Sequence, residues 1–140
     1  MSLRVRNDGT LVRDGRPYRG FGVNYVGCFW RLLENPADDS FVAGFDALAK
    51  AKIPFARFAA CGYWPREWNL WRRDPREHWK RLDRVVAAAE RAGVGLIPSL
   101  FWHYATTADV AGEPVSALGR DGSRTREMMA RYTRDLVLRY

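Results

Sequence analysis

Ile53-Pro54-Phe55-Ala56-Arg57-Phe58 sets one arginine inside an apolar run that otherwise reads as a buried strand. A guanidinium stays charged in any protein and is costly to desolvate alone. Arg57 is therefore expected at the strand end, facing an anionic or strongly hydrogen-bonding group. The run Val94-Gly95-Leu96-Ile97-Pro98-Ser99-Leu100-Phe101-Trp102-His103 repeats the design, an apolar strand closing on an aromatic residue and a histidine. Two buried strands thus carry polar groups to their C-terminal ends.

Toward the N-terminus, residues 3–18 alternate apolar and polar around Asn7-Asp8-Gly9 and Asp14-Gly15, turn signals that predict a small antiparallel hairpin. Tyr18 to Tyr25 reads as the first core strand, with Asn24 and Tyr25 at its C-terminal end. Before Arg57, Ser40 can cap a helix whose Phe41, Phe45, Leu48 and Ala51 recur at helical spacing. Beyond Arg57, Cys61 to Trp71 reads as a long loop dense in large rings, holding Tyr63, Trp64, Trp68 and Trp71. Asp74-Pro75-Arg76-Glu77 then opens a helix, with a capping aspartate, a proline at the first helical position and a glutamate three residues past the cap. Trp79, Leu82, Val85, Val86 and Ala89 give this helix an apolar face, and Gly93 ends it. Gly112, Pro114 and Asp121-Gly122 predict a second long loop over 104–122, after which Ser123 starts a helix through Met128, Tyr132 and Leu136.

Strand, long loop, helix and short turn recur about three times between residues 18 and 140, the pattern of a parallel sheet with right-handed crossovers. Connections leaving strands are long and aromatic; those leaving helices are short. That is the division of labour of a (β/α) barrel, whose C-terminal face carries the site. The expected fold is α/β, a segment of a parallel TIM-type (β/α) barrel of about three strand–helix units, preceded by the hairpin at 3–18, in one domain spanning 1–140. A doubly wound nucleotide-binding sheet is the competing architecture. Gly20-Phe21-Gly22-Val23-Asn24-Tyr25 puts tyrosine where its third phosphate-binding glycine belongs.

These residues resemble a known family, the retaining glycoside hydrolases of the cellulase and β-mannanase type, whose catalytic domain is an eightfold barrel. The likeness lies in Asp14-Gly15-Arg16-Pro17-Tyr18-Arg19-Gly20-Phe21-Gly22-Val23-Asn24-Tyr25, in Arg57 ending the second strand and in His103 ending the third, and it spans nearly the whole chain. The resemblance implies that Arg57 hydrogen-bonds a nucleophilic carboxylate, that His103 lines the subsite for the sugar being cleaved, and that the substrate is a β-1,4-glucan or mannan. Retaining hydrolysis needs two carboxyl groups about 5 Å apart, one as nucleophile and one as general acid and then base. An arginine beside the nucleophile keeps it ionised and oriented. Asn24 and Tyr25 join Arg57 and His103 as candidate substrate-binding residues, together with Trp30, Trp64 and Trp102, whose ring faces can stack on the C–H faces of sugars. In the family the acid/base glutamate follows an asparagine at the end of the fourth strand, and the nucleophile ends the seventh. The 140 residues hold no such Asn-Glu pair, since Asn69 precedes leucine and Asn35 precedes proline. No catalytic residue is assigned, and the chain by itself is expected to be inactive, as the N-terminal part of a hydrolase barrel. The alternative is a non-catalytic carbohydrate-binding or assembly module on the same scaffold.

Composition bounds these readings. A hydrophobic content of 47% with 14% aromatic residues is ample for a packed core in 140 residues. The formal charge of +7 comes from arginines spread along the chain, with Lys50, Lys52 and Lys80 the only lysines, so no nucleic-acid partner is expected. The N-terminus Met1–Arg6 has no apolar core of signal-peptide length and no run approaches a membrane span, so the location stays unknown with the cytoplasm as default, and no membrane partner is expected. Cys28 and Cys61 read as free thiols, and neither a metal nor a cofactor is expected. Plainer readings stand beside the sharp ones: Arg57 in a structural ion pair, His103 as a satisfied strand-end histidine, His78 on the surface, Trp79 in the core, Trp68 and Trp71 closing their loop on itself. Glu34, Glu67 and Glu113 fall in predicted loops and read as solvated charge. Three strand–helix units cannot close a barrel, so the remainder of the barrel or another copy is expected to cover the open sheet edge, with an oligo- or polysaccharide as ligand.

Overall fold

Two small sheets and six α-helices make up the computed structural model, a mixed α/β fold described for residues 3–61 and 65–140. Strands β1 (Leu3–Val5), β2 (Leu11–Arg13) and β3 (Arg16–Pro17) form an antiparallel meander, with Val5 opposite Leu11 and Arg13 opposite Arg16. The predicted hairpin therefore gains a third strand. Asp14 and Gly15 both take positive φ, 48° and 82°, as a two-residue turn between twisted strands requires. The meander is fastened to the main fold by the Tyr18 hydroxyl, which donates to the Pro54 carbonyl at 2.8 Å.

Strands β4 (Val23–Asn24), β5 (Phe55–Ala59) and β6 (Gly95–Ser99) pair in parallel in that spatial order, as the alternation of strands and helices predicts. The first core strand, predicted over Tyr18–Tyr25, is only two residues long. Its glycines lack side chains to hold a ladder, and Phe21 projects into solvent. Asn24, Arg57 and Ile97 lie side by side in one row of the sheet, and Ala59 faces Ser99 in another.

The helices correct the sequence reading in several places. Helix α1 (Gly27–Glu34) follows β4 where no element was expected, burying Cys28, Phe29 and Leu32. Ser40 is the first residue of α2 (Ser40–Lys50) and not its cap; the Asp38 carboxylate accepts from the Ser40 N–H at 2.8 Å and from its hydroxyl at 2.6 Å. The loop predicted over Cys61–Trp71 contains helix α3 (Pro65–Arg73), which buries Glu67, Trp68, Leu70 and Trp71. Helix α4 (Pro75–Arg91) has the predicted cap, Asp74 Oδ1 accepting from the Glu77 N–H at 3.0 Å, and it stops before Gly93, whose φ is 70°. The stretch 104–122, also predicted as a loop, holds α5 (Tyr104–Ala111) and a short 3-10 helix at Val115–Gly119. Helix α6 (Arg124–Arg139) begins at the predicted Ser123, whose hydroxyl accepts from the Arg126 N–H at 3.2 Å and donates to the Ala117 carbonyl at 2.7 Å. Among the described residues no helix is long and apolar enough to cross a membrane.

Helices α1, α2 and α4 supply Phe29, Leu32, Phe45, Leu82 and Val85 to the core, against the sheet face that bears Ala56 and Phe58. Trp79 is buried among them, as predicted. His78 is not the surface residue expected from sequence: it is fully buried, with rings of Phe29, Trp79 and Tyr132 around it. The other face of the sheet, with Asn24, Arg57 and Ile97, is open to solvent. Along the free edge of β6, Gly95 and Ser99 turn their backbone groups toward β5, so Leu96 and Pro98 present theirs outward. Pro98 has no N–H to offer, which leaves this edge poor in donors.

Candidate functional site

The polar centre of the open face is Arg57, which stands in the middle of β5 and exposed, not at the end of a buried strand as the sequence suggests, because the strand runs on through Phe58 and Ala59. Its Nε donates to Ser99 Oγ at 2.6 Å, and its guanidinium carbon lies 4.2 Å from the centroid of the Trp102 ring. Both contacts follow from register. Ser99 stands one row beyond Arg57 on the neighbouring strand, and Trp102 follows three residues later where the chain leaves the sheet. Stacking on an indole and donating along one edge holds the guanidinium plane at fixed tilt. Asn24 is the adjacent residue on β4, so its amide borders the same face.

The turn that delivers Trp102 is strained. Phe101 has φ of 53°, in the left-handed region that a bulky side chain avoids. The surroundings over-determine it: its N–H donates to the Cys61 carbonyl at 2.9 Å and its ring stacks on Trp68, centroids 5.8 Å apart and 7° from parallel. Phe101 thus goes inward while Trp102, 39% exposed, stays on the open face.

The predicted site residues divide. Asn24, Arg57 and Trp102 come together at the C-terminal half of the parallel sheet. His103 lies past the strand, at the N-cap position of α5, with Nδ1 3.1 Å from Thr106 Oγ1 and its ring stacked on Tyr104. Tyr25 turns to the opposite face, edge-on to Phe45 with centroids 5.4 Å apart; it lies so close to α2 that a methyl group at Gly44 would overlap its ring. Trp30 sits on α1 beneath Arg66, which is ion-paired with Glu34. Trp64 and Tyr63 lie outside the described residues. Sequence reasoning missed Ser99 and Phe101. A serine closing an apolar strand beside an arginine strand was a usable signal for the first, whereas φ at Phe101 has no signature in sequence.

No family model and no curated protein matches this chain.

The three glutamates expected as solvated loop charge are otherwise placed, Glu34 at the end of α1 and Glu67 within α3, where helix packing takes them up. Glu34 holds Arg66, Glu67 is fully buried on α3, and Glu113 accepts from the Thr125 N–H at 2.8 Å and the Thr125 hydroxyl at 2.7 Å. Those bonds at the start of α6 keep the Glu113 carboxyl below the usual range. Both cysteines are buried and neither forms a disulfide, and burial pushes the Cys28 thiol up to about 12, so it is protonated and unreactive at neutral pH. Among the described residues no cluster of three or more His, Cys, Asp or Glu side chains is placed to hold a metal ion. An apolar groove of about 720 Å³ between α4, α6 and β6 is lined by Phe58, Leu82, Leu96, Leu136 and Val137 on the far side of the sheet from Arg57. It offers packing surface.

Proposed function

We propose that this chain is the first part of a (β/α) barrel of a retaining glycoside hydrolase acting on β-linked glucan or mannan, with Asn24, Arg57, Trp102 and His103 contributing to the sugar cleft. One observation carries the reading: Arg57 is held by Ser99 and Trp102 on the open face of a parallel sheet and makes no ion pair with any described residue. The plainer account, a structural ion pair, lacks its anion among those residues. A guanidinium fixed by its Nε edge and one face leaves its terminal nitrogens for a carboxylate, the geometry that orients a nucleophile. The alternative, a carbohydrate-binding or assembly module, draws on the absence of an Asn-Glu pair from the 140 residues.

The test compares the 140-residue chain with a version extended through a full barrel, on mannan, cellulose and aryl glycosides. The short chain should give no turnover, because it supplies neither nucleophile nor general acid. In the extended protein Arg57→Ala should lower kcat about a hundredfold with a smaller change in KM, since orientation of the nucleophile acts in the transition state. Robust hydrolysis by the short chain, retained when Glu34, Glu67 and Glu113 are replaced, defeats the proposal. An extended chain that binds sugar and never cleaves it favours the module.

The open face has its own consequence. Ile97 is 47% exposed in the middle of a strand on this face, so the isolated chain should self-associate through it. Sedimentation velocity over a concentration series should show species larger than monomer, reduced by Ile97→Lys. A monodisperse monomer with a sharp thermal transition would show that the sheet needs no further cover.

A further inference from the structure

The candidate site is tied to the buried centre of the molecule by a chain of hydrogen bonds. The Tyr132 hydroxyl on α6 donates to the Ala60 carbonyl at 3.1 Å, and His78 Nε2 on α4 lies 3.0 Å from the same hydroxyl. Ala60 follows β5 directly, and its N–H donates to the Ser99 carbonyl at 3.0 Å; Ser99 Oγ in turn receives Arg57 Nε. The next peptide is held likewise, the Cys61 carbonyl accepting from the N–H of strained Phe101. Tyr132 also sets its ring against the rings of Trp68 and Phe101.

Proton bookkeeping gives this chain a direction. A carbonyl can only accept, so the single Tyr132 proton points to Ala60, and the hydroxyl oxygen accepts from His78 Nε2–H. His78 is thereby held in one neutral tautomer, with Nδ1 facing no hydrogen-bond partner. We propose that Tyr132 is a positioning residue for the Arg57–Ser99–Trp102 arrangement: its hydroxyl clamps the peptide after β5, fixing Ser99 through Ala60 and the Phe101 turn through Cys61, with His78 setting the hydroxyl's orientation. That this arrangement is a sugar subsite rests on the reading above. The clamp itself does not.

The test is Tyr132→Phe, which removes one oxygen and keeps the ring packing. The readout is hydrogen exchange of the Arg57 Nε–H, followed by NMR beside the backbone amides of α2. In the parent chain Arg57 Nε–H should be protected by its bond to Ser99. In Tyr132→Phe its exchange should accelerate at least tenfold, and the Trp102 indole resonance should shift, while Phe45 and Leu48 amides change far less. A purely structural role would speed all of these together, and that outcome, or an unchanged Arg57 signal, overturns the proposal. Should Tyr132→Phe fail to fold, His78→Phe takes its place: it removes the donor to Tyr132 and should accelerate Arg57 Nε–H exchange in the same selective way, and selective protection retained in it would likewise overturn the clamp. Titration with cello- and manno-oligosaccharides is read separately. Absence of sugar binding in the parent chain, with the exchange pattern intact, refutes the subsite and leaves the clamp standing.

Discussion

Between pH 6.5 and pH 4 the fold should lose about 3 kcal/mol through His78 alone, at about 1.4 kcal/mol for each pH unit. Burial is the main cause, with the Arg81 cation adding to it: together they bring the imidazole from its ordinary 6.5 down to about 3 in the folded chain. The folded state therefore rejects a proton that the unfolded chain accepts. A group depressed in this way contributes its full stability above pH 6.5, and that contribution falls away as pH drops toward 3. Asp38, Asp83 and Glu113 are also held below their ordinary values by hydrogen bonds, but their losses begin lower, near the usual carboxylate range. Urea midpoints measured from pH 7.5 to 4.5 should thus decline in the parent chain and flatten in His78→Gln. An equal decline in both would place the acid sensitivity elsewhere.

Trp68→Ala should cost about 3–5 kcal/mol, a large part of the total stability of a domain this size. Trp68 is fully buried. Beyond its stack on Phe101, its ring meets Trp71 and Tyr132 edge-on at centroid distances of 5.6 and 5.4 Å. Removing it leaves a cavity under the Phe101 turn, so the strained backbone there loses what holds it. Calorimetry should show a fall in Tm of about 10 °C or more. A change below about 1 kcal/mol, as a solvated loop residue would give, would mean that Trp68 does not sit in the core as a residue of helix α3.

What could be read from sequence was local. Asp74-Pro75-Arg76-Glu77 specifies a helix start because cap, ring and glutamate act within one turn, and Ser123 does the same for α6. The apolar runs around Arg57 and Ser99 specify strands because each is a short continuous apolar stretch that follows a helix directly. That Arg57 meets a hydrogen-bonding partner was legible too, but not its exposure: the run suggests a buried guanidinium, whereas the sheet face bearing Arg57 is open to solvent. The same local logic failed for α3 and α5. Trp68 and Trp71 are one helical turn apart, yet in a stretch so crowded with rings that spacing did not separate helix from aromatic loop, and the Ala- and Thr-rich Tyr104–Ala111 has little amphipathic contrast.

The sequence by itself determined that the chain alternates strands and helices, where α4 and α6 begin, and that Arg57 must stand on a strand facing a polar group, because each rests on interactions between residues a few positions apart. Only the tertiary structure decided that His78 is buried, that Tyr25 turns away from Arg57, and that Ser99 and Trp102 are what Arg57 meets. The physical reason is distance along the chain. His78 meets Tyr132 from 54 residues away, and Arg57 meets Ser99 from 42. Such pairs are set by sheet register and helix packing, which no short-range pattern encodes.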